Sequence, residues 1–106
     1  MGNVVEVSGT AGAGPDGKVL APGDVEGQAR EALRIIGDAL AEAGASFAHV
    51  VRTRVFMKDV SKWEEAGRAH GEVFRDVRPA TAIIGVDGFI DPDILVEIEA
   101  TAIVSE

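Results

Sequence analysis

Near the C-terminus the sequence alternates with a period of two. Val96, Ile98, Ala100, Ala102 and Val104 fall on one face of an extended chain, and Leu95, Glu97, Glu99, Thr101 and Ile103 on the other. The first face is wholly apolar, so this strand must lie on a hydrophobic layer, and amphipathic helices are what cover one face of a sheet. Two helices are legible upstream. Asp24 is a good N-cap, and Val25, Ala29, Ala32, Leu33, Ile36 and Leu40 recur at helical spacing as far as Gly44. Ser61-Lys62-Trp63-Glu64 reads as a capping box opening a second helix, whose apolar side runs through Trp63, Ala66, His70, Val73 and Phe74. Trp63 and Phe74 read as its core anchors, and Arg78-Pro79 stops it.

Three more segments read as strands. Val4, Val5 and Val7 lead into Ser8-Gly9; residues 50–57, rich in β-branched side chains, form a central strand; residues 81–86 precede the last strand, placed at 95–104. The glycine-rich stretch 12–17 reads as a mobile loop, and its Gly12-x-Gly14 lacks the following Gly-Lys-Ser/Thr of a phosphate loop. The expectation is one α+β domain over residues 1–106.

At 106 residues the chain buries only about 60–65% of its unfolded surface, which favours self-association. The absence of cysteine removes disulfides, thiolate catalysis and Cys-ligated zinc, and His49 and His70 stand too far apart in sequence for a metal pair. No metal and no cofactor are expected. A formal charge of −8 repels phosphate backbones, which argues against nucleic acid as the main partner. No apolar run approaches the roughly 20 residues of a membrane span, and residues 1–6 do not read as a signal peptide, so no membrane and a cytoplasmic location are expected.

The second face of the sheet is mixed. On the central strand Arg52, Arg54 and Phe56 lie opposite Val51, Thr53, Val55 and Met57, so an arginine there can meet Glu97 across strands. Glu97 therefore has two readings, a structural ion pair with Arg52 or Arg54, and a pocket carboxylate. A face carrying both apolar residues and charges suits contact with another subunit. His70 reads either as a partly buried, hydrogen-bonded histidine or as a ligand-facing one, Thr81 as an ordinary strand residue or a hydroxyl touching a ligand, and His49 as a cap or a solvent-facing side chain.

Taken together, Val7-Ser8-Gly9, Ala43-Gly44-Ala45, Val50-Val51-Arg52-Thr53-Arg54-Val55-Phe56, Arg78-Pro79-Ala80 and Val96-Glu97-Ile98-Glu99-Ala100 resemble the Rid/YjgF family, the reactive intermediate deaminases named endoribonuclease L-PSP in older usage. The resemblance covers nearly the whole chain. It implies a chorismate-mutase-like fold of the Bacillus type, a mixed sheet with two helices packed on one face, assembled as a homotrimer with pockets between subunits. It implies hydrolysis of reactive enamines or imines, with a small carboxylate or imine-like metabolite as partner. Glu97 would position the attacking water, backbone at Ser8 and Gly9 would face the substrate, and His70 takes a place near the pocket.

The family's arginine directly after Pro-Ala grips the substrate carboxylate, and this sequence has Thr81 there. That assigns it to an arginine-lacking subgroup. Losing such a charged bidentate contact costs on the order of 2–5 kcal/mol. The chain also has no tyrosine, whereas the family carries a pocket tyrosine before the first strand. Three readings follow: a hydrolase for substrates that need no arginine clamp, a non-catalytic metabolite-binding or regulatory trimer, and a ribonuclease or translation inhibitor, against which the acidic balance weighs.

Overall fold

The computed structural model describes residues 2–105. Four strands form one sheet: β1 (Val4–Thr10), β2 (Val50–Met57), β3 (Ala80–Gly85) and β4 (Val96–Ile103), in the order β1-β4-β2-β3. β4 runs antiparallel to both neighbours, while β2 and β3 are parallel and joined through a helix, so the sheet is mixed. Helices α1 (Val25–Glu42) and α2 (Trp63–Phe74) cover one face. This is the expected α+β architecture, and each strand boundary lies within one residue of its predicted place.

The alternation in β4 is realised fully. Val96, Ile98, Ala100 and Ala102 are buried against Leu33, Ile36 and Leu40 of the α1 face and Val55 and Met57 of β2. Helix α1 begins where Asp24 accepts a hydrogen bond from the Gly27 amide at 2.9 Å. It ends in a Schellman turn. Gly44 takes φ +82°, and the amides of Ala45 and Gly44 reach back to the carbonyls of Leu40 at 2.8 Å and Ala41 at 3.1 Å.

Several local expectations are corrected. Ser61 does not cap α2: a short 3₁₀ turn, Val60–Lys62, precedes the helix, and Asp59 caps that turn by accepting from the Ser61 amide and hydroxyl at 3.0 and 2.7 Å. An aspartate two residues earlier competes better for the free amides than the serine. Trp63, placed at the first residue of α2 by this shift, is 53% exposed, and Phe74 with Ala66 and Ala69 anchors the helix in the core. The predicted alternation of β2 also breaks: a bulge between Val50 and Arg52 buries Val50 and turns Val51 outward. The glycine-rich loop is a closed small hairpin. Ala13 bridges Val19, Leu20 donates to the Gly12 carbonyl at 2.8 Å, and Asp16 accepts from the Lys18 amide at 3.0 Å.

One buried polar residue organises the end of the molecule where the connections gather. Gln28 on α1 is completely buried; its amide nitrogen donates to the Asp93 carbonyl at 3.0 Å, and its oxygen accepts from the Leu95 amide at 2.8 Å. It thereby ties the segment before β4 to the helix beneath it. Replacing it by leucine leaves two backbone groups without partners, a loss of about 2 kcal/mol. Urea unfolding of Gln28→Leu is expected to show a correspondingly lower midpoint with an unchanged slope.

Candidate functional site

The residues singled out in the sequence fall into two groups on opposite faces of the sheet. Ser8, Gly9 and Glu97 belong to the face away from the helices, and His70 and Thr81 to the helix side.

On the open face, the β1–β4 ladder shifts register between Val7 and Thr10, placing Ser8 and Gly9 in a bulge. The Gly9 backbone is not in the left-handed region, so conformational freedom is not why glycine stands here. Its value is the missing side chain: a β-carbon there would stand 2.8 Å from Glu97 Oε1. The carboxylate therefore lies directly over the glycine. Glu97 makes no ion pair, because it sits opposite Phe56, while Arg54 lies opposite Glu99 and takes it at 2.7 Å. Among the described residues no basic side chain lies within 4 Å of the Glu97 carboxylate. The structural reading of Glu97 as half of an Arg pair is thus corrected by two residues of strand register.

Next to it lies a groove of about 290 Å³ lined by Glu6, Ser8, Arg52, Arg54, Glu99 and Thr101. Some of its polar groups meet one another. Arg54 Nη2 lies 2.7 Å from Glu99 Oε1, a buried oxygen with no hydrogen-bond partner among the described residues, and the Thr101 hydroxyl donates to Glu6 at 2.5 Å. Among the described residues, the Ser8 and Arg52 side chains have no side-chain partner.

The helix side carries a chain of hydrogen bonds that no local pattern announced. His70 Nε2 lies 2.9 Å from Thr53 Oγ1, Thr53 Oγ1 lies 2.8 Å from Thr81 Oγ1, and the Thr81 hydroxyl donates to the Pro79 carbonyl at 3.1 Å. Parallel pairing of β2 with β3 sets Thr53 opposite Thr81, and α2 lays His70 across them. Thr53 is almost wholly buried, so its hydroxyl requires these partners. Sequence reading passed it over as one β-branched core residue among several; a buried threonine facing a histidine-bearing helix was the available signal. The His70 ring packs against Phe74, with centroids 4.6 Å apart. Burial pushes its pKa below the ordinary histidine value. His49, in contrast, serves as a cap, its Nδ1 accepting from the Ser46 amide at 3.0 Å.

The chain matches the family model described as Endoribonuclease L-PSP over residues 1–104. It belongs to the Rid/YjgF family. A crystal structure of a YjgF/YER057c/UK114-family member from Mycobacterium tuberculosis shares 44% identity, covering 98% of this chain and 81% of that one with a TM-score of 0.87. The human protein named 2-iminobutanoate/2-iminopropanoate deaminase is 31% identical over 93% of this chain and 72% of its own. Escherichia coli TdcF, solved with bound serine, shares 27% identity over 99% of this chain and 84% of that one, with a TM-score of 0.88. The Rid/YjgF resemblance read from the five segments is therefore correct, and so is the fold it implied.

His70 gives this half of the site a pH signature. Its depressed folded pKa means that the unfolded chain binds the proton more readily, so stability falls as pH drops through the unfolded value of about 6.5. Denaturation midpoints measured between about pH 7.5 and about pH 5.5 are expected to fall in the natural protein and to fall less in His70→Gln.

Proposed function

We propose that this protein is an arginine-lacking Rid/YjgF hydrolase, a homotrimer whose intersubunit pocket takes reactive imines or enamines and in which Glu97 positions the attacking water. The observation carrying this reading is the Glu97 carboxylate, free of any cationic partner among the described residues and lying over Gly9. An ion-paired carboxylate is a poor base. A free one accepts a proton from water as oxygen adds to the imine carbon, then returns it to nitrogen, so that the carbinolamine collapses to a carbonyl product and ammonia. Gly9 and Ser8 stand beside it with backbone groups at a bulge, where the ladder with β4 is interrupted.

The need for more than one subunit is supported by distance. Glu97 and Thr81 stand two strand spacings apart across the sheet and three residues apart along it, about 14 Å between backbones, and point to opposite faces. They line one small-molecule pocket only if a second copy brings its Thr81 edge to this Glu97. The deaminase activity named for the human relative and the serine bound by TdcF support a small amine-derived substrate. The acidic balance of the chain weighs against RNA.

A second reading, a non-catalytic metabolite-binding or regulatory trimer, is favoured by Thr81 itself, whose hydroxyl is occupied by Thr53 and Pro79 and gives no charged grip on a carboxylate. Ammonia release from enzymatically generated 2-iminopropionate, 2-iminobutyrate and a carboxylate-free imine separates the two. We expect turnover of the carboxylate-free imine, its loss by about a hundredfold or more in Glu97→Gln, and a comparable loss in Gly9→Ala, whose methyl displaces the carboxylate. Silence toward every imine from a folded oligomer gives the non-catalytic reading precedence.

Thr81→Arg is expected to raise activity on the imino acids, since a guanidinium restores a bidentate partner for their carboxylate. The rate ratio between 2-iminobutyrate and the carboxylate-free imine, compared with that of the natural protein, checks this.

A further inference from the structure

The hydrogen-bond chain on the helix side has a direction, and the direction follows from counting protons. Three contacts join His70 Nε2, Thr53 Oγ1, Thr81 Oγ1 and the Pro79 carbonyl. The Pro79 carbonyl only accepts, so the Thr81 proton is spent on it. The 2.8 Å contact between the two threonines then requires the Thr53 proton, which leaves Thr53 Oγ1 as acceptor for His70. All three contacts are made only when Nε2 carries the hydrogen. The chain therefore runs His70 Nε2–H to Thr53, Thr53 to Thr81, and Thr81 to Pro79.

Thr81 Oγ1 ends this chain with its proton committed and one lone pair free. Thr81 is exposed, and beside it lies a notch of about 50 Å³ lined by Val55, Ala66, Gly67, His70, Thr81 and Ile83. Gly67 leaves the α2 wall open, the nearest side-chain atom to a β-carbon there being in Trp63 at 4.0 Å. The notch exceeds the roughly 10–15 Å³ that one water requires, and its walls are almost entirely apolar. It suits a branched group of a few carbons, with the exposed Thr81 on its rim.

We propose that this notch seats the small apolar group of a carboxylate-free ligand, whose N–H donates to the free lone pair of Thr81 Oγ1. This deepens the pocket reading above and rests on it for the identity of the ligand as an imine or enamine. The class selected is one presenting an N–H donor with no anionic group next to it: simple ketimines, enamines and amide-like molecules. A carboxylate at this place finds an oxygen facing it where it needs a donor. To be received, it would have to draw the Thr81 proton from Pro79 and leave that carbonyl without its side-chain partner.

Isobutyramide and isobutyrate make a matched pair of probes, alike in shape and opposite in hydrogen-bond character. Titrated into the oligomeric natural protein with ¹⁵N-labelled histidine, isobutyramide is expected to shift the His70 ring resonances of an Nε2–H tautomer and to bind about tenfold more tightly than isobutyrate, the worth of one hydrogen bond. Equal affinities, a preference for isobutyrate, or an Nδ1–H tautomer in the free protein would overturn the proposal. Thr81→Val should remove the preference and Thr81→Ser retain it. The comparison within the natural protein stands even if the valine variant does not fold. Amide preference without imine turnover contradicts the hydrolase reading alone, whereas turnover without amide preference contradicts this inference alone.

Discussion

The antiparallel pairing of β4 on both its edges is the constraint on which the rest depends. Its apolar side chains, all 2% exposed or less, form the floor on which α1 lies, and its register against β1 and β2 decides what every polar residue of the open face meets. Because the side-chain period is two, a slip of one residue would turn Glu97 and Glu99 into the core and expose Val96 and Ile98. Burial of four or more apolar side chains at about 1–2 kcal/mol each makes such a slip prohibitive. The register is thus set by hydrophobic burial, and the chemistry of the opposite face is inherited from it. Arg54 receives Glu99 because the core demands that alignment, and Glu97 is left opposite Phe56 for the same reason.

The two faces handle polarity differently. On the open face, one pair of opposite charge, Arg54 and Glu99, lies in partial contact with water, where such a pair is worth little. On the helix side, charge is absent and neutral hydroxyls and an imidazole close a chain under a low-dielectric wall of Phe74 and Val55, where each hydrogen bond matters more and an unmade one is costly. Outside the sheet, Arg30 bridges Glu26 and Glu72 at 2.9 Å each, and Arg68 adds a contact to Glu26 at 2.8 Å, joining the solvent sides of α1 and α2. These ion pairs are exposed and orient the helices without dominating their stability.

Much of this was legible in the sequence for a physical reason: strong periodicity reports burial directly. The β4 alternation, the α1 stripe with its Asp24 cap and Gly44 terminus, and the β-branched run of β2 each encode one element by itself. What escaped is relational. The partner of Glu97 depended on how β2 and β4 align along their length, with Phe56 opposite Glu97 and Arg54 opposite Glu99; alternation in one strand gives its faces and not that alignment. Asp59 displaced Ser61 as the cap because two good capping residues stood close together, and geometry chose between them. Thr53, Gln28 and the split of the site residues across the sheet all required knowing which strands and helices touch. Gly9 matters for the β-carbon it lacks and not for backbone freedom, which becomes visible only once Glu97 is placed beside it.

Thr81 stands where the family resemblance places an arginine, and the scaffold can carry either side chain there for a structural reason. The place of residue 81 is set by backbone pairing of β3 with β2, with Thr81 opposite Thr53, and a ladder of amides and carbonyls does not depend on the side chain it carries. A long cation at this edge must find an anion or water. A short hydroxyl instead folds back onto Thr53 and Pro79 and completes a neutral network with His70. Burial holds the pKa of that imidazole below its ordinary value, which disfavours a cation there in place of the arginine. On the proposed reading, residue 81 offers a neutral acceptor where an arginine would offer a charged donor, and ligand preference follows that polarity.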